Sequence, residues 1–234
     1  MDEAFVREIA LLGATNFEKL RRAHVAVFGI GGVGSYAAEA LVRAGVGRLT
    51  FVDGDAVAPS NLNRQLIALR STLGKNKAQA MRERALDIAP DCDVRAVPAF
   101  FTAENAAEFP FSSYDFVADC IDSVKDKAEL LCAARAAGVP VVSSMGAGNK
   151  LDPAAFRVTP LEQTREDPLA RRMRQELRRR GVTGVLAVWS AEPPRPFDPA
   201  CAAEGERRVG SLSFVPSAAG LVLAGAIVRR IAGV

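Results

Sequence analysis

The 234-residue chain has a single histidine, His24. A Ser-His-Asp triad or a multi-histidine metal centre would have to be built around that one imidazole, which argues against both. Cysteine is also scarce. Cys92, Cys120, Cys132 and Cys201 are the whole set, and no two form a CxxC pair, so zinc-ribbon spacing is absent. Cys120 falls in an apolar strand pattern and Cys132 in a helical one, where cysteine serves as a small buried hydrophobe. No apolar run reaches the ~20 residues of a membrane span. The longest, Phe214 to Val228, is interrupted by Pro216 and reads as a buried helix. The N-terminal MDEAFVREIALLG opens on acids and lacks the basic and apolar parts of a signal peptide, so a cytoplasmic protein is expected. Net charge is only +3, yet RRMRQELRRR at 171–180 carries six Arg against one Glu.

What is present is a regular alternation. HVAVFGI (24–30), RLTFVD (48–53), DVRAVPAF (93–100), FVADCID (116–122) and VPVVSSMG (139–146) read as strands. Helical stretches at 35–44, 75–90 and 125–137 separate them. Pro98 points to an edge or an end for the third strand. Strands alternating with helices predict a doubly wound, mainly parallel Rossmann-like α/β sheet. Beyond Gly148 a C-terminal extension of strands and helices follows. AFRVTPLEQT gives a strand and a turn, DPLARRMRQELRRR a helix capped by Asp167, and GVLAVWS another strand. Residues 191–210 hold four prolines and are expected to form a long mobile loop before the final apolar helix.

GIGGVG (Gly29, Gly31, Gly32 and Gly34) follows a strand and opens a helix, and Asp53 lies 19 residues beyond Gly34 at the end of the next strand. Such glycines let the backbone approach phosphate, the helix N-terminus offers N–H groups, and the acid accepts from ribose hydroxyls. A nucleotide site is the expectation. An NAD-dependent oxidoreductase is the commonest owner of this pattern, but three features speak against it. Arg64 and Lys77 are placed to reach phosphates beyond the turn, although each alone reads equally as surface charge. Asp122 ends the fourth strand at the carboxyl edge of the sheet, where a carboxylate can hold Mg²⁺ against a triphosphate; the alternative is an N-cap, a role open to Ser123. No histidine offers a proton relay. Together these describe ATP with Mg²⁺ better than NAD.

GIGGVGS, DGDAVAPSNLNRQ, GKNKAQA and CIDS resemble, in order and spacing, the ATP-binding motifs of the ubiquitin-activating-enzyme-like (ThiF/HesA type) adenylyltransferases. The resemblance spans roughly residues 5–150. It implies that Asp53 holds ribose, that Asn61, Arg64, Gln65 and Lys77 surround the phosphates, and that Asp122 places Mg²⁺. Asp55 and Asn63, in the same loop, join the implied nucleotide-binding set. Arg7, in VREIALLG, matches an arginine that in this family reaches the ATP of the other subunit of a homodimer. Catalysis would fall to Arg7, Arg64, Lys77 and Asp122.

The second half, from GAGNKLDPAAFRVTPLEQTREDPLARRMRQELRR through VWSAEP to GSLSFVPSAAGLVLAG, is similar to the tRNA threonylcarbamoyladenosine dehydratase branch. That likeness implies ATP-dependent cyclisation of the threonylcarbamoyl side chain on the adenosine beside a tRNA anticodon, through an acyl-adenylate. One domain is expected, with residues 1–150 as its nucleotide half and 151–234 as its substrate, tRNA and dimerisation half. Arg171, Arg174 and Arg178 share a helix face and are candidates for RNA phosphates, the alternative being a solvated basic face. Ser123 stands where many adenylyltransferases have Asn, and Trp189 where this branch would have Tyr. Cys201 lies in the 191–210 loop, where some relatives use a cysteine as acceptor. The competing readings are an activator of a ubiquitin-like sulfur carrier, with sulfur- or electron-transfer partners, and a nucleotide-binding scaffold without turnover.

Overall fold

HVAVF forms β1 (His24–Phe28), buried at every residue. Its neighbours β2 (Arg48–Val52) and β4 (Phe116–Asp119) both run parallel to it. β3 (Asp93–Val97) lies outside β2, while β5 (Val141–Ser144), β7 (Leu186–Ser190) and β6 (Phe156–Pro160) extend the other side. The strand order in this computed structural model is β3-β2-β1-β4-β5-β7-β6. Among these strands only β6 runs against its neighbour, so the sheet is mainly parallel, as expected. The structure describes residues 3–196, 198 and 209–234. Cys201 and most of the segment expected to be a mobile loop lie outside the described residues.

Alternate side chains of β1 feed different layers, as the pleat requires. Val25 and Val27 join a core shared with α3 (Gly34–Arg43), α4 (Lys77–Ile88) and α7 (Phe214–Ala232). Ala26 and Phe28 face the opposite layer, with Phe101, Phe109, Phe111 and Leu130 of α5 (Val124–Ala136). A third cluster joins α5, α6 (Pro168–Arg179) and β7 around Met173 and Trp189. The Trp189 indole N–H donates to Thr159 Oγ1 at 2.9 Å, so its polar edge is satisfied inside the packing.

Some expectations needed correction. β3 stops at Val97 and β4 at Asp119, each shorter than the apolar pattern suggested. Pro98 has no N–H to continue a ladder. Pro216 does not interrupt its helix: it occupies the first turn of α7, where a missing N–H has no consequence. At 19 residues α7 is long and apolar enough to cross a membrane by length and composition, but it packs on α3. Gly220 makes this approach possible, since a Cβ there would stand 2.3 Å from the Val33 carbonyl oxygen. Two short helices, α1 (Val6–Leu12) and α2 (Ala14–Arg22), precede the sheet. They were not foreseen. They meet at Gly13, φ 81°, and are held through Phe17 and Leu20.

Candidate active site at the carboxyl edge of the sheet

The chain order of the strands reverses at β1 and β4, and loops leaving neighbouring strands diverge there into a crevice. Phe28 pairs with Asp119 in register. The glycine turn after β1 and the CIDS loop after β4 therefore start side by side, with the Asp53 loop next along. Gly29 has φ +85°, and a Cβ on it would stand 2.7 Å from the Cys120 carbonyl oxygen. Gly34 is needed for another reason: its Cβ would fall 1.8 Å from Gly29 O, beneath the turn. Gly31 and Gly32 line the crevice itself, a cleft of ≈ 950 Å³.

Asp53, Asp55, Arg64, Gln65, Lys77 and Asp122 line the same cleft, so four separated motifs converge. The Asp53 carboxylate accepts from Ile30 N–H at 2.6 Å and Asp55 N–H at 2.8 Å. Burial pushes its pKa up, and those two amides and Lys77 oppose the shift. Lys77 is buried and pairs with the exposed Asp55 at 2.7 Å. The Arg64 guanidinium rests on Ser60 O and Asn63 Oδ1. Gln65 is buried against Gly31, and its Oε1 has no hydrogen-bond partner in the described residues. A ligand or water entering the turn would be the natural partner for that amide.

Asp122 is exposed to the cleft. Ser123 caps α5 instead, its Oγ accepting from Asp126 N–H, and among the described residues no hydrogen bond or ion pair engages the Asp122 carboxylate. No group of three or more His, Cys, Asp and Glu that could hold a metal occurs among those residues. The donor set thus fits Mg²⁺ held by one carboxylate and a ligand's phosphate oxygens, this ion's usual manner. Cys120 also lines the cleft, but burial pushes its thiol pKa up to about 12, far from a reactive thiolate.

Other predicted residues are elsewhere. Asn61 is buried below the cleft and shapes its own loop, Oδ1 accepting from Ala58 N–H. Asn63 donates to Ser211 O at 3.1 Å, tying the loop to the segment before α7. Arg7 is exposed on α1 and does not line the cleft of its own chain. Arg171 and Arg178 are exposed on α6, whereas the guanidinium of Arg174 is bonded to Thr164 O and Oγ1. Arg172, not singled out from sequence, lines the cleft.

Supporting residues were also missed. Ser35 Oγ donates to Gly31 O and accepts from Leu66 N–H, joining the glycine turn to the Asn-rich loop. Asn76 caps α4 and donates to the carbonyls of Asp53 and Asp55; an Asn before a helical run is a readable cap signal. At the far end of the cleft Lys150 donates to Ser190 O and Glu192 O and lies 3.8 Å from Asp167. Burial lowers the lysine's pKa and raises the aspartate's.

Residues 5–234 match the ThiF family. A tRNA threonylcarbamoyladenosine dehydratase of Bacillus subtilis is 40% identical over 235 residues, covering 96% of this chain and 92% of that one. One from Escherichia coli is also 40% identical, over 87% of this chain and 81% of its own. The crystal structure of the E. coli tRNA N6-threonylcarbamoyladenosine dehydratase TcdA in complex with ATP superposes with a TM-score of 0.89 at 36% identity, covering 97% and 93% of the two chains. With family motifs converging on one cleft and likeness running through nearly its whole length, the chain belongs to the ThiF family, among relatives named as tRNA threonylcarbamoyladenosine dehydratases.

Proposed function

We propose that this chain is an ATP-dependent tRNA threonylcarbamoyladenosine dehydratase. The observation that carries the reading is the convergence of Asp53, Arg64, Lys77 and Asp122 around the glycine turn. ATP lies with its ribose at Asp53 and its phosphates against Gly31, Gly32 and the N-terminus of α3, where the helix dipole favours anions. Arg64 and Lys77 face the phosphates that leave. Asp122 would hold Mg²⁺, which would supply positive charge at those oxygens. The substrate's carboxylate attacks the α-phosphorus and pyrophosphate departs, leaving an acyl-adenylate. The substrate's own carbamoyl group then attacks the acyl carbon and AMP departs, so the side chain loses the elements of water. Neither step needs an enzyme thiol or imidazole, in keeping with a half-buried Cys120 whose thiol pKa is pushed up and a distant His24.

Residues 1–150 serve the nucleotide and 151–234 the tRNA and the dimer contact, within one domain. Arg171 and Arg178, exposed on α6, offer phosphate contacts to the tRNA, while the guanidinium of Arg174 is engaged by Thr164. In a homodimer, Arg7 reaches the partner subunit's ATP. Mixing inactive Arg7→Ala and Asp122→Ala dimers would then restore activity, because one heterodimer site is complete. Activity remaining at the sum of the parents after proven subunit exchange would remove Arg7 from the site. A cytoplasmic location is part of the same reading, since a tRNA substrate is found there.

The reaction is tested by ATP–pyrophosphate exchange with threonylcarbamoylated tRNA, then with a sulfur-carrier protein ending in Gly-Gly. Exchange is expected with the tRNA. Exchange with the carrier alone would transfer the protein to sulfur activation, and exchange with neither would leave a nucleotide-binding scaffold.

A further inference from the structure

Behind the CIDS loop is a lysine that looks, in sequence, like any solvated helix charge. Lys127, on the first turns of α5, is fully buried, as is Asp119 at the end of β4, and their charged atoms are 2.8 Å apart. The ammonium also donates to Ile121 O at 2.8 Å. Asp119 in turn accepts from Ile121 N–H at 3.1 Å and from Ser143 Oγ at 2.6 Å. Both polar backbone groups of Ile121 are therefore tied to the same ion pair. On the other side of Asp122, the main-chain N–H of Lys127 donates to Ser123 O at 2.9 Å. One residue thus holds the backbone immediately before and immediately after Asp122, while the Asp122 side chain stays exposed and uncommitted among the described residues. A buried ion pair contributes little net stability compared with apolar side chains of the same volume. Its distinctive effect here is to fix a loop.

We propose that Lys127 is a positioning residue for the metal-binding carboxylate: through Asp119 and Ile121 it holds Asp122 ready at the cleft, so that the cation meets a preset ligand. This rests on the reading of Asp122 as the carboxylate that holds Mg²⁺. Presetting matters because Mg²⁺ demands near-octahedral geometry and takes few protein ligands, so a wandering carboxylate binds it less well.

The test uses the full chain with the double substitution Asp119→Asn and Lys127→Met. The pair becomes neutral at similar volume, and the main-chain bond from residue 127 to Ser123 is kept. Two quantities are read: amide exchange over residues 119–124, and Mn²⁺ affinity by electron paramagnetic resonance with a non-hydrolysable ATP analogue bound. The expected result is a cooperative melt, exchange in that segment at least about tenfold faster, Mn²⁺ affinity weakened at least about fivefold, and metal-free affinity for the analogue within about twofold of wild type. Wild-type exchange, or faster exchange with unchanged Mn²⁺ affinity, would overturn the proposal. Asp122→Ala run beside it separates the two claims. If that variant binds Mn²⁺ like wild type, the metal reading of Asp122 fails, and with it the functional half of this proposal. If the double variant does not fold, Ser143→Ala loosens the same network more gently. Both readings should then move the same way by a smaller factor, and wild-type values for both would again overturn the proposal.

Discussion

Asp53 receives a 2.6 Å hydrogen bond from the N–H of Ile30, inside the glycine turn. The acid read from sequence as a ribose ligand is thus also the clamp that shapes the phosphate turn. Asp53→Ala leaves the buried amide of Ile30 unpaired, at a cost of about 1–3 kcal/mol. A fall in Tm of about 2 °C or more is expected, together with weaker ATP binding by calorimetry. Weaker binding at an unchanged Tm would mean that the turn holds itself and Asp53 serves the ribose alone.

Gly31 and Gly34 belong to one motif but should fail differently. The nearest atom to a Cβ on Gly31 is Gln65 Nε2 at 3.7 Å, an ordinary contact, whereas a Cβ on Gly34 overlaps Gly29 O. Gly31→Ala is expected to melt within about 2 °C of wild type and to bind ATP more weakly, since the methyl group stands where phosphate would approach. Gly34→Ala should lose stability by about 1–3 kcal/mol or more. Melting curves read beside ATP titrations would expose any reversal of this order.

Lys77 is buried and its partner Asp55 exposed, so the two halves of the pair should matter unequally. Lys77→Met is expected to lower ATP–pyrophosphate exchange by about 10²-fold, the usual loss when one preorganised charge is removed. Asp55→Asn should retain most of the activity, because it leaves the cation in place. Equal losses would show that the pair acts as a unit on the nucleotide.

Acidification tests the base of the sheet. Burial lowers the pKa of His24, whose ring nitrogens face Ser113 O and Thr50 Oγ1. A histidine whose folded pKa is depressed gives stability that is present above its ordinary unfolded value, near 6.5, and is lost as pH falls through the folded value. Wild type should therefore lose more Tm than His24→Gln between about pH 7 and pH 5. Parallel Tm curves for the two proteins would remove His24 from the acid response.

On α6, Arg174→Ala should lower Tm while leaving tRNA affinity close to wild type, because its guanidinium is held by Thr164. Charge reversal at Arg171 and Arg178 should do the opposite, weakening tRNA binding and flattening its dependence on log salt by about one unit for each phosphate no longer engaged. Filter binding across a salt series distinguishes the two, and an unmoved slope would assign these arginines to solubility.

Most of the sheet was legible because buried parallel strands are continuous apolar runs, and HVAVF, RLTFV and FVAD stand out as such. Gly31, Gly32, Asp53 and Asp122 were legible as cleft residues because glycine turns and strand-end acids mark a phosphate site by position. What was hidden depends on tertiary contact. Lys127 and Lys150 carry the same letter as a solvated lysine, and only the fold sinks them beside Asp119 and Asp167. The placements of Asn61 and Arg174 were hidden for the same reason. Asn61 turns inward to its loop and Arg174 toward Thr164, and neither choice has a sequence period. The helices α1 and α2 escaped notice because they are 7 and 9 residues long and have no side-chain N-cap.

The phosphate turn is backed by the last helix of the chain. Pro216 packs beside Gly32, Gly220 lets α7 touch the start of α3, and Ser211 accepts from Asn63. During synthesis the glycine turn leaves the ribosome well ahead of the residues that brace it. A nascent chain can assemble the strands around β1 and still lack a finished phosphate turn until Phe214 and its successors emerge.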